Sequence, residues 1–264
     1  MKDMLGIAVT AAEAASKEIL SVYYSTDFET QSKSDNSPLT IADTRAHECI
    51  VKHLEQTDIP ILSEEGVDIP YETRKGWKQF WLVDPLDGTR EFIKRNHEFT
   101  VNIALIEDQR PVLGVVAVPV TGALYYGGKE LGVFKREASS VPGYQLQVPN
   151  PYPPVTGNLR PVTKVVASRS HMNTETADFI AKLGETEVMT AGSSLKFMLL
   201  AEGKADIYPR FGPTMEWDTA AAHAILNALG IKVMTTDGSK ELQYNKPNLL
   251  NPYFVAGFTP NYKP

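Results

Sequence analysis

Cysteine is almost absent from this chain: Cys49 is the only one in 264 residues. A single thiol cannot form a disulfide within the chain, which fits a reducing compartment. No apolar run approaches the about 20 residues that a membrane-spanning helix needs. The N-terminal apolar residues recur at helical spacing and are interrupted by charges such as Asp3 and Lys17, unlike a signal peptide. We therefore expect a cytoplasmic protein without an integral membrane segment, which leaves peripheral association with the inner membrane open.

The chain also lacks an excess of basic residues, with 26 Lys and Arg against 32 Asp and Glu and a formal net charge of −6. This balance argues against a nucleic-acid polymer as partner, because such polymers are bound through a basic field. A small anion can still bind where side chains or metal ions supply local positive charge. The length and the 42% hydrophobic content allow one large domain or two of medium size.

The predicted elements change character beyond the middle of the chain. The first half carries two amphipathic helices at 5–24 and 41–55, two buried strands at 59–62 and 80–83, and then β-rich runs joined by short turns. Such runs are typical of a meandering antiparallel sheet. The proline-rich stretch 148–161 cannot continue a central strand and is interpreted as a linker.

Beyond this linker, strands alternate with helices, and one helix is expected to begin with Thr174 as its N-cap. We therefore predict an N-terminal α+β half, 1–150, which carries an antiparallel sheet. An α/β half, 161–264, should follow it. The fold class is a layered α/β (α+β) arrangement.

Acidic residues follow several predicted strands or begin predicted helices. In QFWLVDPLDGTREFI, 79–93, a buried strand is expected to end just before Asp84 and Asp87. Buried carboxylates need a compensating positive charge. The other acids in such positions are Asp43 in LTIADTRA, Glu64 and Glu65 in ILSEEG, and Asp218 in MEWDTAAA.

Each of these acids alone has an ordinary structural explanation. Asp218 precedes a helical pattern as an N-cap would, and Asp87-Gly88 is a common turn. Together they offer only oxygen ligands, which suit Mg²⁺, whereas the five histidines and the cysteine show no zinc spacing. Asp84 and Asp87 could hold two ions about 4 Å apart, and the helix start at Gly88-Thr89 could bind phosphate. The pattern thus indicates hydrolysis of a phosphate ester.

Four blocks resemble the inositol monophosphatase superfamily of lithium-sensitive, Mg²⁺-dependent phosphatases. WLVDPLDGTREF matches its D-P-(I/L)-D-G-T signature, and EWDTAAAHAIL matches its W-D signature near the C-terminus. ILSEEG and SPLTIADTRA match its E-E turn and its T-x-x-D segment. The blocks follow the family's order between Lys33 and Leu226. The resemblance implies a layered αβαβα sandwich and two or three Mg²⁺ ions as cofactors.

The resemblance also implies individual roles. The implied metal ligands are Glu64, Asp84 and the Leu86 carbonyl for the first ion, Asp84, Asp87 and Asp218 for the second, and Glu65 for a third, weaker ion or its waters. Asp43 would bond to the Thr89 hydroxyl, and this pair would orient and help deprotonate the attacking water.

The substrate is indicated mainly by the second half. VASRSH, AGSSLKF and IYPRFGPTMEWD resemble the bacterial 3'(2'),5'-bisphosphate nucleotidases of this superfamily. Arg210 stands close before Asp218, where a second phosphate would need a cation. The candidate substrate-binding residues are Gly88, Thr89, His171, Gly192, Ser193, Ser194, Lys196, Arg210 and Asp218.

Some of these candidates have structural alternatives. Gly192, Ser193 and Ser194 are expected to present backbone N–H groups to the nucleoside at a helix start. Lys196 and His171 are candidates for the distal phosphate or the base, but they can also be a solvated helix lysine and a loop histidine.

The predicted activity is removal of the 3'-phosphate of 3'-phosphoadenosine 5'-phosphate, giving AMP and phosphate. The 5'-phosphosulfate form is a second candidate substrate. One alternative is a related phosphatase acting on inositol monophosphate or fructose bisphosphate. The other is a non-catalytic metal or nucleotide sensor, which the complete set of acids and Thr89 disfavours. The oligomeric state is not indicated.

Overall fold

The computed structural model describes residues 1–25, 30–32, 38–138, 144–145, 162–169 and 173–257, and of 30–32, 38–39 and 144–145 only the backbone. The predicted linker and His171 lie outside the described residues. The helices are α1 Lys2–Tyr23, α2 Ile41–Leu54, α3 Tyr71–Arg74, α4 Thr89–Ile93, α5 Thr174–Ala181, α6 Leu195–Ala201 and α7 Glu216–Ala228. The strands are β1 Thr30–Ser32, β2 Pro38–Thr40, β3 Ile61–Ser63, β4 Gln79–Asp87, β5 Thr100–Glu107, β6 Arg110–Val118, β7 Ala123–Gly128, β8 Gly132–Arg136, β9 Tyr144–Gln145, β10 Thr163–Ser168, β11 Thr186–Ala191, β12 Ile207–Arg210, β13 Val233–Thr235 and β14 Phe254–Gly257.

Strands β3 to β9 form the first sheet in chain order. β3 is parallel to β4, and every later pair is antiparallel, so the predicted meander is confirmed. The turn between β5 and β6 explains why these two strands pair in antiparallel fashion. Its residues Asp108 and Gln109 both have positive φ, 45° and 63°. Two such residues make the tight turn whose twist matches an antiparallel hairpin.

The second sheet has the order β11-β10-β12-β14-β13. β10 is parallel to both of its neighbours, whereas β14 is antiparallel to both of its own. Among the described residues, the strands of this mixed sheet all lie within 163–257.

Helices α1 and α2 cover the outer face of the first sheet. Small residues on α1, such as Ala11 and Ala15, are fully buried and let the helix approach closely. They belong to the same core as Trp81 of β4 and Ile103 and Leu105 of β5. Burial of each large apolar side chain contributes about 1.5–3 kcal/mol to the stability of this layer.

Helices α6 and α7 lie between the two sheets. Phe197 of α6 and Ile225 of α7 share one core with Leu82 of the first sheet and Phe254 of the second. Helix α5 covers the outer face of the second sheet through Phe179 and its neighbours. The order of layers is therefore helix, sheet, helix, sheet, helix, which confirms the αβαβα prediction.

Helix α7 touches the first sheet at Gly114 of β6. A Cβ atom at this position would collide with the backbone carbonyl of Ala221, so only glycine fits. Ala220 and Ala222 are also fully buried. The spacing between α7 and the sheet is therefore set by residues without bulky side chains.

Several predicted strand limits are wrong. β4 does not end before the acids: it continues to Asp87, with an irregular register between Asp84 and Asp87. Pro85 is tolerated because it lies in this irregular segment. Strands β11 and β12 were not predicted. β11 is an edge strand with mostly solvent-accessible residues, and β12 is short and contains Pro209.

Two helix starts also differ from the expectation. The N-cap of α5 is Asn173, whose Oδ1 accepts hydrogen bonds from the backbone and hydroxyl of Thr176, and not Thr174. Asp218 is not the N-cap of α7, because the helix begins at Glu216 and Asp218 lies within its first turn. The division into halves 1–150 and 161–264 stays a prediction, since the central core draws residues from both.

Candidate active site

The site is built around the irregular end of β4. The Asp84 side chain is 1% exposed, and its Oδ1 accepts a hydrogen bond of 3.0 Å from the backbone N–H of Leu86. Asp87, at the end of the same strand, is partly buried. An irregular register is a common way to redirect strand side chains next to a functional site.

Two other elements bring acids to Asp84. Glu64 directly follows β3, the parallel neighbour of β4, and its N–H donates to the Val83 carbonyl at 3.1 Å. Asp218, in the first turn of α7, accepts from the Met215 N–H at 2.9 Å. Carboxylate oxygens of Glu64, Asp84 and Asp218 all lie within 4.8 Å of one another.

This arrangement is electrostatically unfavourable without a cation. Burial and repulsion, first from Glu64, raise the pKa of Asp84 well above its usual range. Burial and repulsion from Asp87 and Glu64 raise the pKa of Asp218 in the same way. A divalent cation would reverse both effects, and an oxygen-only donor set suits Mg²⁺ or a similar hard ion. The residues present therefore fit a metal site.

Asp43 and Thr89 meet beside this cluster. Asp43 Oδ2 accepts hydrogen bonds from the Thr40 N–H at 2.8 Å and the Thr40 hydroxyl at 2.6 Å, at the N-terminus of α2. Its Oδ1 accepts from the Thr89 hydroxyl at 3.1 Å. Gly88 has a φ of 94°, a conformation that favours glycine, and starts α4 so that Thr89 lines the cavity.

The acids open into a cavity of about 670 Å³, which is also lined by the basic side chains of Lys196, Arg210 and Arg90. Lys196 is 6% exposed and donates to the Ser193 carbonyl at 2.7 Å. Burial lowers the pKa of Lys196 to about 8, although Asp87 opposes the shift. Arg210 donates to the Pro213 carbonyl at 3.0 Å, but its buried Nε has no hydrogen-bond partner within the described parts of the chain. The cavity thus combines an acidic cluster with positive charge.

Of the three residues before α6 that were expected to present backbone N–H groups, Gly192 does not have this role. The Gly192 N–H donates to Glu98 Oε2 at 2.8 Å, so it is not presented to a ligand. Ser193 Oγ lies 2.8 Å from the carbonyl oxygens of both Asp87 and Glu98. Ser194 is 1% exposed and is not among the residues that line the cavity. These residues support the site from behind, although Gly192 and Ser193 still reach its wall.

The remaining candidates have different positions. Glu65 is partly buried, but it is neither in the group of three acids nor in the cavity lining. The Leu86 carbonyl oxygen lies 3.3 Å from Thr89 Oγ1, slightly farther than the 3.1 Å between Thr89 Oγ1 and Asp43 Oδ1. Sequence reasoning missed Thr100 and Asn102, which both contact Asp87 Oδ2. Their signal was available, because they are polar residues at alternate positions of an otherwise apolar strand.

Comparison with known proteins agrees with this geometry. The model of the inositol monophosphatase family matches residues 1–258. The chain is 47% identical over 262 residues to the 3'(2'),5'-bisphosphate nucleotidase CysQ of Salmonella typhimurium, covering 95% of this chain and 98% of that protein. It is 46% identical over 262 residues to the protein of the same name from Escherichia coli K12, with the same coverage.

A solved structure resembles the fold closely. The crystal structure of CysQ from Bacteroides thetaiotaomicron, a bacterial member of the inositol monophosphatase family, superposes with a TM-score of 0.82 at 45% identity, covering 96% of each chain. The chain therefore belongs to the inositol monophosphatase family. None of the helices in the described part of the chain is long and apolar enough to cross a membrane.

Proposed function

We propose that this chain is a Mg²⁺-dependent phosphatase that removes the 3'-phosphate of 3'-phosphoadenosine 5'-phosphate. The products are AMP and phosphate, and the 5'-phosphosulfate form is a second substrate. The main support is that one cavity is lined both by an acidic cluster suited to a metal ion and by Lys196 and Arg210. The long matches to proteins named 3'(2'),5'-bisphosphate nucleotidase support the same substrate class.

Glu64, Asp84 and the Leu86 carbonyl would hold one ion, and Asp84, Asp87 and Asp218 a second. Glu65 would assist a third, weaker ion through water. When bound, such ions acidify a water molecule and neutralise charge on the phosphate and on the leaving oxygen. The site's own contribution is to hold four carboxylates close together against their mutual repulsion.

Asp43 and Thr89 would prepare the attacking water. The Thr89 hydroxyl donates its hydrogen to Asp43 Oδ1, which leaves the Thr89 oxygen free to accept from water. Both hydrogen bonds from Thr40 hold Asp43 in place. As the water oxygen bonds to phosphorus and the bond to O3' breaks, one water proton passes through Thr89 Oγ1 to Asp43. Solvent then protonates O3'.

Lys196 and Arg210 would bind the second phosphate of the nucleotide. The buried Arg210 Nε–H lacks a partner among the described residues, and an anion in the cavity would supply it. Lys196 uses one of its three hydrogens on Ser193, which leaves two for a ligand. An inositol monophosphate has no second phosphate to fill this position.

A panel assay of released phosphate tests the proposal. The purified protein is given 3'-phosphoadenosine 5'-phosphate, 3'-AMP, inositol 1-phosphate and fructose 1,6-bisphosphate, with Mg²⁺ or with EDTA. We expect the adenosine bisphosphate to have the highest kcat/KM and every reaction to stop in EDTA. Faster turnover of inositol 1-phosphate would contradict the substrate. Tight nucleotide binding without phosphate release under any divalent ion would instead indicate a sensor.

A further inference from the structure

Two buried polar side chains connect the first sheet to the central helices directly behind the acidic cluster. Asn102 of β5 lies opposite Asp84 in the strand register and is 1% exposed. Ser194, which precedes α6, is also 1% exposed. Neither residue lines the cavity, so any effect on a bound ion or substrate must pass through other residues.

Both the nitrogen and the oxygen of the Asn102 side-chain amide form hydrogen bonds. Its Nδ2 lies 3.3 Å from Asp87 Oδ2 and 3.0 Å from Ser194 Oγ. Its Oδ1 accepts from the Thr100 hydroxyl at 3.1 Å. Because a carboxylate can only accept hydrogen bonds, the amide nitrogen must be the atom that faces Asp87. The orientation of the amide is therefore determined by its surroundings.

Ser194 extends this contact to α7. Its hydroxyl accepts from Asn102 and donates to the backbone carbonyl of Asp218 at 3.1 Å. A continuous series of hydrogen bonds thus runs from the Asp87 carboxylate through Asn102 and Ser194 to the first turn of α7. We name this series the Asn102–Ser194 bridge.

The bridge joins two acids that repel each other and come from distant parts of the chain. Asp87 belongs to the first sheet, whereas Asp218 belongs to a helix of the central layer. Two neighbouring carboxylates separate unless other contacts hold their backbones. The bridge holds both, because it binds one acid by its side chain and the other by its backbone.

We propose that Asn102 and Ser194 are positioning residues that hold Asp87 and Asp218 at the separation at which both bind one divalent ion. This inference rests on the proposed function, because it takes the acidic cluster to be a metal site. The bridge acts on the acids before any ion arrives, so its removal weakens metal binding even without substrate.

Calorimetric titration of the metal-free protein with Mg²⁺ tests the proposal, together with the Mg²⁺ concentration for half-maximal activity. We expect Asn102→Ala to bind Mg²⁺ about 10–100-fold more weakly, the usual effect of removing such a support. Ser194→Ala, which leaves the contact between Asn102 and Asp87, should weaken binding about 2–10-fold. At saturating Mg²⁺, kcat should fall less than the affinity does.

Asn245→Ala is the matched control. Asn245 is also a buried amide with two side-chain bonds, but these go to Arg74 and not to the acids. The substitution should lower the melting temperature. It should leave the Mg²⁺ affinity within about twofold of the wild type, because Asn245 shares no side-chain partner with the acids.

Wild-type Mg²⁺ affinity in Asn102→Ala would overturn the inference and leave the proposed function intact. If Asn102→Ala does not fold, Ser194→Ala decides by the same criterion, and an unchanged affinity overturns the inference. Failure of the wild type itself to bind Mg²⁺ would overturn the proposed function and the inference with it.

Discussion

The cavity has its acidic cluster beside the first sheet and two basic side chains, Lys196 and Arg210, towards the second sheet. Around the first sheet lie Glu64, Asp84 and Asp87, joined by Asp218 from the central layer. On the side of the second sheet, Arg210 ends β12 and Lys196 projects from α6. Under the proposed function the acidic side performs the reaction, and the basic side selects the substrate.

This difference explains why sequence signatures identify the family more readily than the substrate. The acids stand in short blocks after β3, at the end of β4 and at the start of α7, so each block is recognisable in the sequence. A cation for a second phosphate needs only one or two side chains at no fixed spacing. Changes on the acidic side should therefore affect every substrate, whereas changes on the basic side should affect bisphosphates selectively.

The largest effect is expected for Asp84→Asn, on the acidic side. A lost ion removes several kcal/mol of transition-state stabilisation, so kcat/KM should fall by about 10³-fold or more for all substrates. The fold should persist, because the change relieves repulsion with Glu64 and Asp87. Phosphate release and circular dichroism measure the two effects. Asp178→Asn, an exposed acid on α5, is the control, and a similar loss there would argue against a specific site.

Thr89→Val tests the water-orienting pair. The substitution keeps the shape of the side chain and removes the hydroxyl that donates to Asp43. We expect kcat to fall about 10²-fold, the lower range for loss of positioned proton transfer. KM should change little, and Thr89→Ser should retain most of the activity. If Val and Ser variants were equally active, the hydroxyl would have no part in the reaction.

Arg210→Leu tests the basic side. The loss of a charge-assisted contact of about 1.5–3 kcal/mol should raise KM for the adenosine bisphosphate about 10–150-fold. Turnover of 3'-AMP, which lacks the second phosphate, should change far less. Arg110→Leu is a suitable control, because Arg110 pairs with Glu241 outside the cavity. If Arg210→Leu impaired the reaction of both nucleotides equally, the basic side of the cavity would not select for the second phosphate.

The smallest expected effect concerns the stability of the metal-free protein. The folded-state pKa values of Asp84 and Asp218 lie above those of the unfolded chain. Their contribution to stability is therefore present below the unfolded pKa of about 3.9 and is lost as the pH rises through the folded values. Relative to Asp84→Asn, the wild type in EDTA should lose melting temperature as the pH rises above about 4. Mg²⁺ should reduce this loss. If the melting temperatures of the wild type and Asp84→Asn changed equally with pH, Asp84 would not be the cause of the loss.

Much of the fold could be predicted from local patterns. The meander from β5 to β8 follows from alternating apolar residues and turn residues such as Asp108-Gln109. β11 escaped prediction because its residues are mostly accessible, so it has little apolar pattern. The continuation of β4 through Pro85 could not be foreseen, because proline normally ends a strand and only the tertiary register shows the irregularity.

The acidic residues of the site were predictable from the sequence, whereas the residues that hold them in place were not. The acids were identified by their positions after strands, and their proximity follows from the fold. The use of the Gly192 N–H by Glu98 depends on a contact between residues far apart in the chain. No local rule reveals such a contact. The same is true of the Asn102–Ser194 bridge, although a polar residue inside an apolar strand marks one end of it.

Gly114 lies outside the four sequence blocks that carry the family resemblance, but it contacts the helix that carries Asp218. The carbonyl of Ala221 leaves no room for a side chain there, and Asp218 lies one turn earlier on the same helix. A methyl group at 114 would push α7 outward and separate Asp218 from Asp84 with every acidic residue still in place. Gly114→Ala should therefore weaken Mg²⁺ binding in titration. A homologue with this change would keep all four blocks that carry the family resemblance and yet be impaired, so residues that set helix–sheet spacing belong in sequence-based classifications.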